Sequence, residues 1–449
     1  MDLISLVIYL SLVVISIAPI RFAYVVLVSL AFFDASGPQF ASASSLGLAN
    51  AFKVLLAPLI LLIRLRGAPL LFLLHIGRRS GQVWLFVFLT LFASLAVLWS
   101  PEFLSLGAIK GAAYLWGYLV WFAVLSYGWF TGRAGLNLLF NLWGVGLLLG
   151  IVQTLFFGAV FGKGLYEEHL RFTAFTSPQS YAAFYVYLLA LFLFLERRFS
   201  FISLFVLLCT FALIVLTGSR YSLVTAIWVT SAWALYYLRS AFSLGKALKR
   251  FYSIMLFVLM ALASLPILGP FLGSTRVAEL FEKGWEVSEV GTFAWRIGMW
   301  SEAWRQIEEF SLGELVWGRG TAAGALVALR YDPLRYEEDT IDANRVMHNE
   351  FLRAIYEWGI IGFSLFLTFI LGLFVLAVKW LIAGQDMGFF LLAILGPLMV
   401  GIFIENILAA SGSPVGIGIS LALAYLWYKK NVSIYAHPQA SHPLPATRR

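Results

Sequence analysis

Apolar runs of about 20 residues recur along almost the whole chain, and a helix of that length spans the ~30 Å hydrocarbon core of a bilayer. Hydrophobic residues make up 61% of the sequence and charged residues only 12%, about half the charged fraction of a soluble domain. Since a helix satisfies its own backbone hydrogen bonds in lipid, the pattern predicts an all-α polytopic membrane protein. The runs fall at residues 3–18, 22–33, 46–63, 82–99, 107–129, 135–161, 178–196, 199–217, 219–238, 251–271, 351–378, 388–407 and 412–428.

These runs predict 12 or 13 transmembrane helices. The first two are short and are separated only by "APIR" at residues 18–21, so they form either two thin spans or one broken span. The N-terminal stretch lacks a basic region and a small-residue cleavage site, so we expect a retained span and not a signal peptide.

Basic residues cluster at alternate connections between the runs, which predicts that these connections are cytoplasmic. This rule accounts for the net charge of +8 without a nucleic-acid partner, and the lipid bilayer is the expected surroundings. The basic positions are Arg64, Arg66, Arg78, Arg79, Arg133, Arg197, Arg198, Arg239, Lys246, Lys249, Arg250, Lys379, Lys429 and Lys430.

One long hydrophilic segment, residues 273–347, interrupts the apolar pattern. It holds 13 of the 23 acidic residues against eight basic ones, so we expect a periplasmic loop, and its helical periodicity predicts that it is partly helical. Four regions result: N-terminal transmembrane helices (1–272), the large periplasmic loop (273–347), C-terminal transmembrane helices (348–428) and a disordered cytoplasmic tail (429–449).

Several classes of chemistry lack their sequence signals. There is no Walker motif, no GxGxxG after a strand and no HExxH. The five histidines are scattered and Cys209 is the single cysteine, so neither a disulfide nor a metal site is expected. The sequence therefore predicts no metal and no cofactor.

Cations gather on the predicted outer face, where positive charge is otherwise disfavoured. Arg220 lies in "LTGSRYS", Arg296 in "RIGMWSEAW" and Arg171 in "RFTAFTSPQS", while Lys53 and Lys110 lie within apolar runs. An arginine at a helix end also snorkels to headgroups, and a loop arginine is commonly just solvated. Taken together, these residues indicate an electropositive pocket suited to a phosphate.

The stretch "VMHNEFLRAIYEWGIIGF", residues 346–363, places polar side chains at the mouth of a span. Asn349 or His348 can cap the helix that follows, and Gly359 and Gly362 permit close helix packing. Glu357 has two open interpretations: a buried functional carboxylate or a structural hydrogen-bond partner.

In order and spacing, "TGSRYS", the loop motifs "RIGMWSEAW" and "VWGRGTAAG", and "HNEFLRAIYEWGIIG" resemble the O-antigen ligase and O-antigen polymerase superfamily. The resemblance covers about residues 171–362. It implies a GT-C-like glycosyltransferase that takes a glycan from undecaprenyl diphosphate at the periplasmic face of the bacterial inner membrane. Such enzymes transfer the glycan, without metal or nucleotide sugar, to an acceptor hydroxyl and invert the anomeric centre.

The resemblance also implies roles for single residues. Arg220 and Arg296 match the family's essential arginines and are expected at the diphosphate. His348 matches its histidine, as a general base or as a hydrogen-bond partner of the leaving phosphate. Arg171, Lys53 and Asn349 are expected to support substrate binding.

The sequence is compatible with three functions. A ligase passes the glycan to lipid A-core, and this is the interpretation we favour. A polymerase passes it to another lipid-linked repeat unit. A multi-pass transporter or lipid-linked oligosaccharide flippase belongs to a different class, although its ionisable residues would follow a path through the bilayer and not gather on one face.

Overall fold

The chain is described by a computed structural model covering residues 3–33, 49–50, 52–78, 80–101, 104–156, 160–161, 170–195, 201–239, 291–331, 347–404 and 414–435. Helices dominate these residues. One antiparallel ladder joins β1 (Val160–Phe161) to β2 (Leu170–Arg171). The helices are α1 (Leu3–Ile17), α2 (Ile20–Ser29), α3 (Ala57–Arg64), α4 (Ala68–Gly77), α5 (Gly81–Leu95), α6 (Ser105–Phe130), α7 (Leu136–Phe156), α8 (Pro178–Leu195), α9 (Phe201–Thr217), α10 (Arg220–Arg239), α11 (Gly291–Glu308), α12 (Leu312–Trp317), α13 (Ala325–Tyr331), α14 (Glu350–Ile382), α15 (Asp386–Ile404) and α16 (Pro414–Tyr435).

Each predicted apolar run coincides with a helix, except 251–271, which lies outside the described residues. Short 3-10 turns extend α2 and α5 (Leu30–Phe32 and Ala96–Trp99), and a π-helix, Phe52–Leu56, leads directly into α3. The prediction of an all-helical polytopic membrane protein is confirmed.

Within the described chain, six helices are long and apolar enough to cross a membrane, and the pair Phe52–Arg64 and Ala68–Gly77 makes a seventh if its bend is counted as one span. Shorter apolar helices accompany them, so the predicted total of 12 or 13 spans stays a prediction. The six are Gly81–Trp99, Leu106–Phe130, Leu136–Phe156, Pro178–Leu195, Glu350–Ile382 and Asp386–Phe403.

Helix α8 forms the centre of the bundle. Every residue from Tyr181 to Phe194 is buried, which follows from its position among α7, α9, α10, α15 and α16. A helix that is apolar on all faces is expected in the interior. The main core is therefore built from side-chain packing around α8.

The described part of the predicted loop folds onto one end of this bundle as α11, α12 and α13. Its own apolar cluster brings Met299 and Ala303 of α11 against Val327 of α13 and Tyr356 of α14. We call this end of the bundle, where α14 begins, the loop end. The opposite end, where Arg133, Arg239 and Lys379 lie, is called the basic end. The four proposed regions stay predictions, and α16 continues to Tyr435, seven residues into the tail that was predicted to be disordered.

Candidate active site

His348 lies at the loop end, immediately before α14, with an unusual backbone conformation. Its φ is +47°, in the left-handed region that few non-glycine residues occupy. On one side the buried Met347 accepts a hydrogen bond at its carbonyl from Trp300 Nε1 at 2.8 Å. On the other side Asn349 begins the helix. The histidine is thus held between two fixed neighbours, and such strained positions concentrate at functional sites.

Asn349 is the N-cap of α14. Its Oδ1 accepts hydrogen bonds from the backbone N–H groups of Phe351 at 3.0 Å and Leu352 at 3.1 Å. These bonds satisfy donors that the first turn of a helix leaves open. The predicted capping is confirmed for Asn349, while its contact with a substrate stays a prediction.

Helix α11 places Arg296 beside the His348 segment. The ring of Trp295, the residue before Arg296, contacts the His348 ring edge-to-face at a centroid distance of 6.1 Å. Five residues further along, Trp300 makes its bond to Met347. Two contacts therefore fix α11 against residues 347–348, although about 50 residues of chain separate them. The structure brings Arg296 and His348 to adjoining segments.

A second group of segments at the loop end carries Arg171, Arg220 and Lys53. The Phe172 N–H donates to the Leu216 carbonyl at 3.0 Å, so the strand that ends at Arg171 lies against the turn before Arg220. Gly218 in that turn has a φ of +65°, which glycine adopts without strain. The structure describes the backbones of both arginines but not their side chains.

Lys53 reaches the same neighbourhood from the π-helix. It is fully buried, and its Nζ donates to the Phe33 carbonyl at 2.7 Å. The Phe33 ring in turn stacks on Phe175, just after the Arg171 strand, with centroids 5.6 Å apart. A carbonyl partner is one answer to the cost of burying a lysine in a membrane protein.

Helix α15 lies between the two groups. The Tyr221 hydroxyl, next to Arg220, donates to the Pro397 carbonyl at 2.8 Å. Six residues on, the Phe403 ring contacts Phe351, in the first turn of α14, at 5.0 Å. Six helical residues span about 9 Å, so the Arg220 turn and the His348 segment flank the last turns of one helix.

Glu357 holds a loop segment against α14. Its Oε1 accepts the Gly324 N–H at 3.2 Å, while its backbone carbonyl accepts the Gly320 N–H at 2.9 Å. The helix opens here, because Gly359 has a φ of +58° and a ψ of −165°. The geometry favours the structural interpretation of Glu357: it binds residues 318–324, a segment that we call the loop strap.

The close contact between α14 and the start of the loop strap requires a glycine at position 359. A Cβ built there would come within 2.4 Å of the Val316 carbonyl oxygen and 2.5 Å of the Gly318 nitrogen. Thr321 adds a further link, since its Oγ1 donates to the Ala93 carbonyl at 2.6 Å and accepts from Trp358 Nε1 at 3.1 Å. The strap is thereby bonded to both α5 and α14.

Two arginines of this region were not predicted as site residues. Arg353 forms a buried ion pair with Glu350, one turn before it, at 2.6 Å, and lies 5.5 Å from the centre of the Trp358 ring. The spacing of acid and base by three residues at a helix start was the available signal. This pair fixes the first turn of α14 directly after Asn349.

Arg319 of the loop strap is held by aromatic rings and by a carboxylate. Its guanidinium lies 4.6 Å from the Phe310 ring centre and 5.5 Å from that of Tyr356, and it bonds Glu314 at 2.9 Å. The Ser311 backbone N–H, with Arg319, holds the pKa of Glu314 below its ordinary value of 4.5. Because Arg319 is held by Phe310, Tyr356 and Glu314, we interpret it as a structural residue.

In the part of the chain that the structure describes, no three His, Cys, Asp or Glu side chains come together as metal ligands. The cations predicted from the sequence, together with His348, are the groups that we expect at the substrate. Such a set suits an anionic ligand such as a diphosphate, with one titratable imidazole at its edge.

Residues 204–367 match a family model described as O-antigen ligase. The match runs from α9 into α14, so it includes the Arg220 turn, α11, the loop strap and the His348 segment. The resemblance to the O-antigen ligase and O-antigen polymerase superfamily is confirmed over this part of the chain, which supports a ligase- or polymerase-like function. No curated protein sequence matches the chain.

Proposed function

We propose that this protein is a metal-independent, inverting glycosyltransferase that moves a glycan from undecaprenyl diphosphate to an acceptor hydroxyl. The observation that supports the proposal is the docking of α11 on residues 347–348, which brings the helix that carries Arg296 against the segment that carries His348. The family match supports the reaction class. Under this proposal the loop end faces the periplasm of the bacterial inner membrane, and the basic end faces the cytoplasm, as the positive-inside rule expects.

The reaction is a displacement at the anomeric carbon. The acceptor oxygen attacks this carbon, and its bond to the diphosphate oxygen breaks with the electron pair leaving on the diphosphate. Attack opposite the leaving group inverts the configuration. The hydroxyl proton passes to His348 as general base; in the variant of the mechanism in which His348 bonds the leaving phosphate, the phosphate takes that proton.

Fixed cations stabilise the charge that develops on the leaving diphosphate. Arg220 and Arg296 are assigned to its oxygens, because the guanidinium fork matches phosphate geometry. Arg171 supports them from the strand beside the Arg220 turn. Lys53, which is buried, acts through its field and not by contact. Asn349 holds the start of α14 and thus the position of His348.

The acceptor decides between ligase and polymerase. We favour lipid A-core as the acceptor, with a second lipid-linked repeat unit as the alternative. Deleting the gene and separating surface polysaccharide on a gel distinguishes the two. Loss of all lipid A-linked polymer, with polymer retained on its carrier, is expected for a ligase. A single repeat unit on the core is expected for a polymerase and would overturn our preference.

The test of the reaction uses purified protein, an undecaprenyl-diphosphate oligosaccharide and a mixture of acceptors. We expect glycan transfer that persists in EDTA, a loss of about 10²-fold or more in Arg296→Gln, and full activity in Arg305→Gln. Arg305 is a matched control on the same helix, exposed and paired with Glu302 and Glu309. Transport of the lipid across vesicles without transfer to any acceptor would establish the flippase alternative instead.

A further inference from the structure

Helix α4 turns away from the helix before it. Phe52–Arg64 and Ala68–Gly77 meet at an angle of 102°, and the turn is made by Arg66 and Gly67, whose φ angles are +54° and +70°. At ten residues, about 15 Å, α4 is too short to span a bilayer. If Phe52–Arg64 runs across the membrane, α4 lies close to the membrane plane at the basic end.

One face of α4 packs on the bundle. Pro69, Leu73 and Ile76 are buried, and the Phe72 ring contacts Phe130, at the end of α6, with a centroid distance of 4.8 Å. These contacts fix the rotation of α4 about its own axis, so its remaining face is defined by the structure.

The other face is apolar and exposed. Leu70, Leu71 and Leu74 are 48%, 69% and 42% exposed, and their positions fall within an arc of about 100°. The neighbouring exposed side chains Ile63 and Phe130 belong to helices of the membrane bundle. Exposed apolar side chains at this end of the bundle therefore come from α4 as well as from the helices beside it.

Cations stand at both ends of this face. Arg66 precedes α4 and Arg78 follows it, and both are exposed. From residue 35 to residue 101 the sequence contains no Asp or Glu, so this part of the chain supplies no acidic partner. An apolar face bracketed by arginines is the pattern of an interfacial helix attracted to anionic headgroups.

We propose that α4 is an in-plane helix that binds an anionic phospholipid. Leu70, Leu71 and Leu74 contact the acyl chains, while Arg66 and Arg78 attract the net negative charge of the headgroup, which phosphatidylcholine lacks. The site lies at the end of the bundle opposite His348, so it is independent of the proposed transferase chemistry.

The role of Arg66 and Arg78 can be tested by comparing the binding of an anionic and a zwitterionic lipid. Detergent-solubilised protein is titrated with phosphatidylglycerol or phosphatidylcholine and followed by native mass spectrometry. Wild type is expected to bind phosphatidylglycerol more tightly, and Arg66→Gln/Arg78→Gln to weaken that binding by about 30-fold, at about 1 kcal/mol for each arginine. Binding of phosphatidylcholine stays unchanged. Arg330→Gln, an exposed arginine at the loop end, should retain the preference. Equal binding of both lipids by wild type, or an unaltered preference in the double variant, overturns the proposal.

The depth of the leucine face in the membrane can be measured by fluorescence quenching. In a Cys209→Ser background, Leu71→Cys and Ser301→Cys are each labelled with a fluorophore in nanodiscs. The label at 71 is expected to be quenched by spin-labelled acyl chains and protected from aqueous iodide, and the label at 301, exposed on α11, to behave in the opposite way. Equal iodide quenching at both positions, or protection at 71 that appears only in a dimer, contradicts a lipid contact.

Discussion

The centre of the bundle is stabilised by apolar packing, whereas its loop end is stabilised mainly by hydrogen bonds and an ion pair. Around α8, fourteen consecutive buried residues from Tyr181 to Phe194 pack against other helices. At the loop end, geometry is fixed by directional contacts: the Asn349 cap, the Glu350–Arg353 ion pair and the bonds of Glu357 to the loop strap. Packing tolerates small changes of shape, while a buried hydrogen bond that loses one partner leaves the other unsatisfied.

Because of this difference, we expect substitutions in the two regions to affect stability and activity to different degrees. Substitutions in the bundle centre should lower stability in proportion to the volume lost and leave each folded molecule active. Substitutions at the loop end should lower activity more than stability, because they displace the His348 segment or the loop strap.

The largest effect is expected at His348, where the chemistry and the backbone are separable. Asn tolerates the left-handed conformation, so His348→Asn retains the turn and removes the imidazole. We expect a loss of transfer of about 10²- to 10⁴-fold with an unchanged melting temperature. Retained transfer in His348→Asn would show that the imidazole takes no part in the reaction.

The next effect is expected where the loop strap meets α14. Gly359→Ala places a Cβ against the Val316 carbonyl, and Glu357→Ala leaves the Gly324 N–H without its acceptor, which costs about 1–3 kcal/mol locally. Glu357→Gln, which still offers an acceptor oxygen, should be milder. We expect faster proteolysis of the loop and reduced transfer in the first two variants.

Leu188→Ala in α8 is the matched comparison for these variants. It should lower the melting temperature, as buried Leu→Ala changes do by about 2–5 kcal/mol, without changing transfer per folded molecule. The contrast between the two regions fails if Leu188→Ala and Glu357→Ala affect transfer equally.

A smaller effect is expected from the helix cap. Asn349→Ala removes the acceptor for two backbone N–H groups and should cost about 1 kcal/mol. Asn349→Asp retains an acceptor and should behave like wild type in thermal unfolding. A loss of transfer in the Asp variant at full stability would point instead to contact between the Asn349 amide and the substrate.

The sequence predicted the helical bundle well, because each span is a continuous apolar run that needs no knowledge of its neighbours. It did not predict α4: residues 68–77 are apolar but too short to span, and the flanking arginines make the stretch resemble a connecting loop. Only the bend and the buried Leu73 face identify it as a packed helix.

Part of the candidate site was visible in the sequence. The motifs pointed to Arg296 and His348, and the structure shows that α11 brings their segments together through Trp295 and Trp300. The role of Glu357 required a contact with a residue 33 positions earlier, which no local pattern encodes. Arg319 was likewise invisible as a structural residue, since its aromatic partners come from separate segments.

The smallest effect concerns pH. The lowered pKa of Glu314 means that its ionised form stabilises the fold. This contribution is complete above about pH 4.5 and is lost as pH falls through the lower folded-state pKa. Glu314→Gln should therefore melt at a lower temperature than wild type at pH 7, and the two melting temperatures should converge as the pH falls below the folded-state pKa of Glu314. The side chain is partly exposed, so the difference will be small, and a difference that stays constant as the pH falls would contradict the assignment.

The central claim is that α11 positions the His348 segment for catalysis. The most direct measurement compares transfer by Trp300→Phe and Trp304→Phe in the purified protein. Trp300→Phe removes the N–H that bonds the Met347 carbonyl, whereas Trp304 lies on the same helix and is 52% exposed. We predict that kcat/KM falls about 3- to 10-fold in Trp300→Phe, the worth of one hydrogen bond, and stays at the wild-type value in Trp304→Phe. Equal activity in both variants would contradict the account.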